Sequence, residues 1–210
     1  KQRSTTVSRI HRSKHDVTIL KDAFPKEFME PFMELFNMKE ESKNQKTWQV
    51  DYSKNKSFFG PTVTDTPIGK KYRQYIFDKY GEQFDLILDS NHPNYVAAKN
   101  NPMDLPIYWG DFILTFPPGK RLFPHMDEYE GRERELRFNC LLEKPEEGGT
   151  YIIQKGCDTQ SAKRYDLDVG DAIVFSPTNN RHQTTYVSRK STTPRTVLSL
   201  SFLTKYFDDL

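Results

Sequence analysis

Apolar positions recur at two different periods along the first ninety residues. Val17-Thr-Ile-Leu20 is a short run of β-formers and reads as a strand. Asp22-Ala-Phe-Pro25 then opens a helix, because proline suits a first helical turn, where its missing N–H costs nothing. Phe28, Phe32, Leu35 and Phe36 fall at helical spacing and predict an apolar stripe. Glu40 to Lys46 reads as a polar loop, and Trp48, Val50 and Tyr52 alternate with polar neighbours as a half-buried strand does. From Pro67 a second helix sets Ile68, Tyr72, Tyr75, Ile76 and Tyr80 on one face, and Gly81 ends or interrupts it. An aromatic stripe at this spacing is expected to be core packed against a sheet.

Beyond Asn91 the pattern changes. His92-Pro93-Asn94 and Asn100-Asn101-Pro102 are loop chemistry. Short strands are then expected near 107–116, 121–127, 134–142, 150–155, 163–167, 171–176, 181–187 and 195–206. Turn residues separate them, among them Pro117-Pro118-Gly119, Pro145 to Gly149, Gly170-Asp171, and Pro177 to Asn180. Short strands at this spacing indicate a sandwich or barrel. Helices first and strands second suit an α+β fold with the helices laid on one sheet. The expectation is a double-stranded β-helix (jelly-roll) barrel with N-terminal helices.

Composition narrows the partners only slightly. At 210 residues the chain is expected to form one domain, with helical support over 16–104 and a barrel core over 105–206. A net charge of +2 does not point to nucleic acid. The charge is uneven, however: Lys1, Arg3, Arg9, Arg12 and Lys14 all precede the first acidic residue, Asp16. Residues 1–15 read as a flexible basic tail, the competing reading being a polyanion-binding arm. No apolar run is long enough to span a bilayer, and no signal-peptide pattern is present, so no membrane partner is expected. Cys140 and Cys157 do not make a disulfide framework, which suits a soluble protein in a reducing, intracellular compartment.

The candidate chemistry starts at Pro124-His125-Met126-Asp127. On an extended strand, residues two apart face the same way, so His125 and Asp127 are two metal ligands from three residues. Of the other histidines, His11 and His15 sit in the tail and His92 in a loop. His182 opens a late strand after a turn. Strands distant in sequence lie side by side in a double-stranded barrel, so His182 is the natural third ligand. Two histidines and one carboxylate on one face of a metal leave the opposite positions open. That arrangement suits non-haem Fe(II), although the same donors also accept Zn²⁺ or Mn²⁺. Arg195, thirteen residues after His182, offers a planar fork that grips a carboxylate.

Four segments together resemble the Fe(II)- and 2-oxoglutarate-dependent dioxygenases. They are Phe116-Pro-Pro-Gly-Lys-Arg-Leu-Phe-Pro-His125-Met-Asp127, Leu141-Leu-Glu-Lys-Pro-Glu-Glu-Gly-Gly149-Thr-Tyr-Ile-Ile, Val169-Gly-Asp-Ala-Ile-Val-Phe-Ser-Pro177, and His182 through Arg195-Thr-Val-Leu-Ser-Leu-Ser-Phe202. The resemblance covers roughly 105–205 and is strongest to the branch holding prolyl hydroxylases and aspartyl/asparaginyl-hydroxylase-like enzymes. It implies Fe(II) on His125, Asp127 and His182, 2-oxoglutarate held through Arg195, O₂ as oxidant, and hydroxylation of a C–H bond. Related halogenases replace the carboxylate ligand by a small residue, so the presence of Asp127 favours hydroxylation. The family's tyrosine near Leu141 is missing, which leaves Tyr108, Thr115 and Tyr151 as candidates for the second keto-acid contact.

On the strand after the first ligand pair, Arg137, Asn139 and Leu141 share one face, and Leu136, Phe138, Cys140 and Leu142 the other. Asn139 either lines the cavity, meeting keto acid or substrate, or is solvated. Arg137 is a candidate grip for an anionic substrate. Arg189 reads as a surface residue, and Lys190 competes with Arg195 for the keto acid. Pro194 favours an extended backbone just before Arg195, and so favours Arg195. Glu128, Glu130, Arg132, Glu133, Arg134 and Glu135 form either a solvated loop or a lid over the site. The substrate is an amino-acid-like, peptidyl or small-molecule one. The alternatives are a nucleic-acid demethylase of the same superfamily and a non-catalytic cupin-like metal-binding module.

Overall fold

The computed structural model describes residues 12–41, 48–49, 58–59, 66–88, 112–127, 133–205 and 207–209. The strand β1 is Thr18–Leu20, and the helix α1 runs Lys26–Glu41, starting directly after Pro25 and reaching into the expected polar loop. β2 (Trp48–Gln49) pairs with β3 (Phe58–Phe59). Helix α2, Pro67–Tyr80, begins where expected: the Thr66 hydroxyl accepts from the Gly69 N–H as an N-cap. It stops at Gly81, whose N–H donates to the Phe77 carbonyl. β4 is Leu86–Ile87 and β5 is Phe112–Phe116. Then follow β6 (Glu135–Glu143), β7 (Tyr151–Lys155), β8 (Lys163–Tyr165), β9 (Ala172–Phe175), β10 (Asn180–Thr184) and β11 (Arg195–Thr204).

Apart from the separate β2–β3 pair, these strands form two antiparallel sheets. The larger has the order β1-β9-β6-β11-β4, with β5 also paired to β11, and the smaller has the order β10-β7-β8. The α+β architecture therefore stands, with each sheet assembled from strands far apart in sequence. The expected strand at 121–127 does not form. That stretch meets β10 through an isolated bridge, His125 to His182, and through hydrogen bonds between Leu122 and Thr184, and Pro124 between them has no N–H to donate to a ladder.

Alternation along the central strands separates two cores. Leu136, Phe138, Cys140 and Leu142 on β6 join Leu198, Leu200 and Phe202 on β11 and Ala172 and Val174 on β9. The aromatic stripe of α2 covers them: Tyr72 and Ile76 are fully buried, and Phe24 and Phe32 pack edge-on to Tyr72. Leu35 and Phe36, expected with Phe28 and Phe32 in the stripe of α1, have side chains outside the described residues, as do Val50 and Tyr52. The other faces of these strands meet the smaller sheet through Leu141, Ile173, Phe175 and Val197 against Tyr151 and Ile153. The larger sheet is thus covered on both sides, and β6 is buried along nearly its whole length. Among the described residues no helix is long and apolar enough to cross a membrane.

Two details differ from the sequence expectation or extend it. Residues 12–15, expected in a flexible tail, are a strap. Arg12 is buried, stacks 4.2 Å over Phe84 and donates to the Thr18 hydroxyl. The Lys14 N–H and the Ser13 hydroxyl both donate to Asp209. A guanidinium with an aromatic face and an acceptor within reach is held rather than solvated. In the helix-facing core, Cys140 shares a 3.0 Å hydrogen bond with the Tyr72 hydroxyl, and burial pushes its thiol up to about 12. Cys157 is exposed. Titration of the native protein with a thiol reagent should therefore find one fast cysteine, and denaturant should release the second. Two fast native thiols would contradict this core.

Candidate metal centre

His125, Asp127 and His182 converge although His182 lies 57 positions after His125 and 55 after Asp127 in the sequence. One ligand atom from each lies within 4.8 Å of the others. Backbone contacts make the convergence. The His125 N–H donates to the His182 carbonyl at 3.1 Å, and the His182 N–H returns to the His125 carbonyl at 2.8 Å. The Asp127 N–H donates to the Pro177 carbonyl at 3.1 Å. The turn between β9 and β10 thus places the carboxylate while β10 places the imidazoles, whose ring centroids are 4.2 Å apart.

The donor set fits a divalent transition metal. Nδ1 of His125 is 2.8 Å from the Phe123 carbonyl, and Nδ1 of His182 is 3.1 Å from the Asn180 carbonyl. A carbonyl only accepts, so each Nδ1 carries a proton, and in the neutral ring each Nε2 presents a lone pair. That is the tautomer a metal-binding histidine needs. Burial is the main cause that pushes His182 down to about 3, helped by the nearby His125. It therefore stays neutral and competent as a ligand at ordinary pH. For His125, burial works the other way from its hydrogen bonds to Asp127 and Phe123, which together leave its pKa raised. Burial, the largest single influence, would raise the Asp127 carboxyl, but the Arg137 guanidinium, His125 and His182 together outweigh it and hold the group well below its usual range.

Arg137, the candidate grip for an anionic substrate, is engaged by carboxylates of the protein itself. It is buried, donates from Nη1 to Asp127 Oδ2, and donates from Nη2 to Glu135 Oε1 at 2.8 Å. A buried guanidinium binds the carboxylates that β6 and the adjacent loop already bring to it.

Arg195 occupies the same space between the sheets. It is 2 % exposed, and its guanidinium carbon lies 4.3 Å over the Tyr151 ring. Tyr151 is 6.3 Å from Phe175, and Phe175 is 5.1 Å from His182 by ring centroids, so one aromatic wall runs from Arg195 to the triad. Asn139 donates to the Tyr151 hydroxyl at 2.9 Å. Three buried polar atoms in this region have no hydrogen-bond partner among the described residues: Arg195 Nη2, Asn139 Oδ1 and Ser199 Oγ. Asn139 and Ser199 are directly opposite in the β6–β11 register. Unpartnered buried polar groups beside an apolar cluster mark a place built for a ligand.

The remaining candidates separate. Thr115 is a correction: it pairs with Thr196, and so lies on the face of β11 opposite to Arg195, where its hydroxyl bonds that of Thr196 at 3.1 Å. Arg189 and Lys190 are exposed on the turn before β11, which removes Lys190 as a buried rival to Arg195. His15 is part of the strap. His11, His92, Tyr108 and the loop residues Glu128, Glu130 and Arg132 lie outside the described residues. Sequence reading missed Ser199, Phe175 and the role of Glu135. Ser199 shares a strand face with Arg195 and Val197, so period-two alternation signals it once the strand is accepted. The Phe123, Asn180 and Pro177 carbonyls have no sequence signal, since every residue carries one.

Gly149 has φ +69°, and a Cβ there would sit 2.8 Å from Arg195 Cδ and 3.1 Å from Pro145. Gly149→Ala should therefore displace the Arg195 side chain and strain the turn, with a stability loss of about 1–3 kcal/mol. Denaturant unfolding checks the loss, and an unchanged midpoint would contradict this packing.

No protein-family model matches the chain, and no curated protein sequence does. Solved structures do. One is a prolyl hydroxylase from Trichoplax adhaerens in complex with a hypoxia inducible factor oxygen degradation domain peptide fragment. It is 12% identical, with a TM-score of 0.57 over 90% of this chain and 84% of that one. A Pseudomonas putida prolyl-4-hydroxylase is 11% identical, with a TM-score of 0.52 over 91% and 94%. NgTET1 in complex with 5mC DNA is 17% identical, with a TM-score of 0.51 over 92% and 76%. At these identities the likeness is one of fold.

Proposed function

We propose that this chain is an Fe(II)- and 2-oxoglutarate-dependent oxygenase that hydroxylates a C–H bond of an amino-acid-like, peptidyl or small-metabolite substrate. Its two sheets are then the walls of a double-stranded β-helix, and residues 16–210 act as one dioxygenase domain. The observation that carries the reading is the pairing of two sites in one inter-sheet space. Two imidazoles with bare Nε2 atoms and a carboxylate meet at one end. A buried guanidinium with an unpartnered Nη2 waits along the same aromatic wall. A small dianion that both chelates a metal and ends in a carboxylate satisfies both, and 2-oxoglutarate has that chemistry.

His125, Asp127 and His182 would hold the iron, leaving positions for co-substrate and O₂. Bound there, iron supplies the redox chemistry that couples O₂ and 2-oxoglutarate to C–H oxidation, with succinate and CO₂ as co-products. Arg195 would grip the distal carboxylate. Tyr151, oriented by Asn139, would offer its hydroxyl beside it. Phe175, Ile153, Leu141 and Val197 exclude water from the space between the sheets. The prolyl hydroxylase of similar fold carries a peptide, which supports the peptidyl option, and NgTET1 carries DNA, which keeps a nucleic-acid substrate as the second reading.

Anaerobic addition of Fe(II) and then 2-oxoglutarate should produce a visible charge-transfer band, and a succinate-release screen over peptide, metabolite and nucleic-acid pools should then find the substrate class. Absence of both the band and any keto-acid binding would leave the non-catalytic metal-binding module as the surviving reading.

A further inference from the structure

Asp127 has two oxygens, and the structure treats them differently. Oδ1 is 3.3 Å from Nε2 of His125, on the side where the ligand atoms gather. Oδ2 accepts from Arg137 Nη1. The guanidinium is held from behind: Nη2 donates to Glu135 Oε1 at 2.8 Å, and the same oxygen accepts from the Ser201 hydroxyl at 2.6 Å. Arg137 and Ser201 are directly opposite in the β6–β11 register, and Arg137 is also opposite Phe175 on β9. The clamp is therefore mounted on two neighbouring strands of the larger sheet, β6 and β11, with β9 flanking β6, in a fully buried part of the fold.

We propose that Arg137, backed by Glu135 and Ser201, is a positioning residue that confines Asp127 to one-oxygen coordination of the metal. The inference rests on the metal-centre reading above. A carboxylate free to rotate can present both oxygens to a metal. A planar guanidinium bonded to one oxygen leaves only the other facing the ligand atoms. Glu135 has a second effect. Asp127, Arg137 and Glu135 carry −1, +1 and −1, so the cluster keeps one negative charge, and Arg137 can bind Asp127 without cancelling the site's attraction for a cation.

The sign of one measurement separates positioning from charge. A guanidinium beside a cation site repels the cation, so if Arg137 acted only through its charge, removing it would tighten metal binding. If it positions Asp127, removing it weakens binding.

The test is anaerobic Co(II) titration by calorimetry, with the visible Co(II) spectrum as a second readout and circular dichroism to confirm the fold. Arg137→Met should weaken Co(II) binding by about 10–100-fold, the usual loss when a group orienting a metal ligand is removed. Its Co(II) spectrum should change as the second carboxylate oxygen becomes available. Arg137→Lys should recover only part of the affinity, because a point charge does not replace the fork. Arg137→Met leaves two buried carboxylates and can fail to fold. The double variant Glu135→Gln/Arg137→Met keeps the cluster at −1 and should show the same weakening and spectral change. Wild-type affinity and spectrum in either folded variant, or tighter binding, would overturn the positioning role while the metal centre stands. Failure of the wild-type protein to bind Co(II) would overturn both.

Discussion

Replacing His182 by alanine is expected to take metal binding below that of the wild type by more than about 100-fold, beyond the loss seen when only an orienting group is removed. Keto-acid turnover should fall to background with it. The reason is that His182 is the only triad member that is fully enclosed: it is 2 % exposed, and its ring is wedged between His125 and Phe175. Its neutrality adds to this, since burial keeps its pKa near 3 and no proton competes for Nε2 at ordinary pH. His125 differs. Its pKa is raised, chiefly because Asp127 hydrogen-bonds it against the opposing effect of burial. A metal must displace that proton, so wild-type metal affinity should rise with pH through the neutral range. Calorimetric metal titrations of His182→Ala and of the wild type at several pH values check both statements. A folded His182→Ala protein that binds metal as the wild type does would remove the triad from the account.

The second large effect is at Arg195. Arg195→Met should raise the dissociation constant for 2-oxoglutarate by roughly 30-fold or more, because losing one partner of a buried charge pair costs about 2–5 kcal/mol and each 1.4 kcal/mol is tenfold. Methionine fills much of the space over Tyr151, so the aromatic wall should survive, and metal binding without keto acid should be unchanged. Lys190→Ala, on the exposed turn, should do nothing to keto-acid affinity. If the two results were reversed, the carboxylate grip would belong to Lys190, and the unpartnered Nη2 of Arg195 would need another explanation.

Much of this could be read from order and period alone. The α2 stripe, the two faces of β6 and the positions of most strands follow from where apolar residues fall, because an α-helix repeats every 3.6 residues and a strand every two. His125 and Asp127 are close in the chain, and two-residue spacing already puts them on one side. Arg195 follows a proline that extends the backbone before it. The strap is a different case. Arg12 looks like one more charge in a basic run, and only the ring of Phe84, seventy-two residues further on, makes it a buried residue.

Arg137 shows the same limit at the site itself. Its side of β6 was legible, and so was its place in the cavity face. Its partner was not, because Asp127 reaches it through a carbonyl of the β9–β10 turn rather than through a strand ladder. Thr115 failed for a related reason: which face of β11 it joins depends on register with Thr196, a property of two strands and of neither alone. Local pattern decides what each segment can be, since propensity and amphipathic period act within a few residues. Register, tautomer and the choice of a buried charge's partner are set by groups that meet only after the sheets close. At Pro124-His125-Met126-Asp127 the chain by itself supplies two candidate ligands, and the packed sheets supply the third candidate, its proton arrangement and the arginine bonded to the carboxylate.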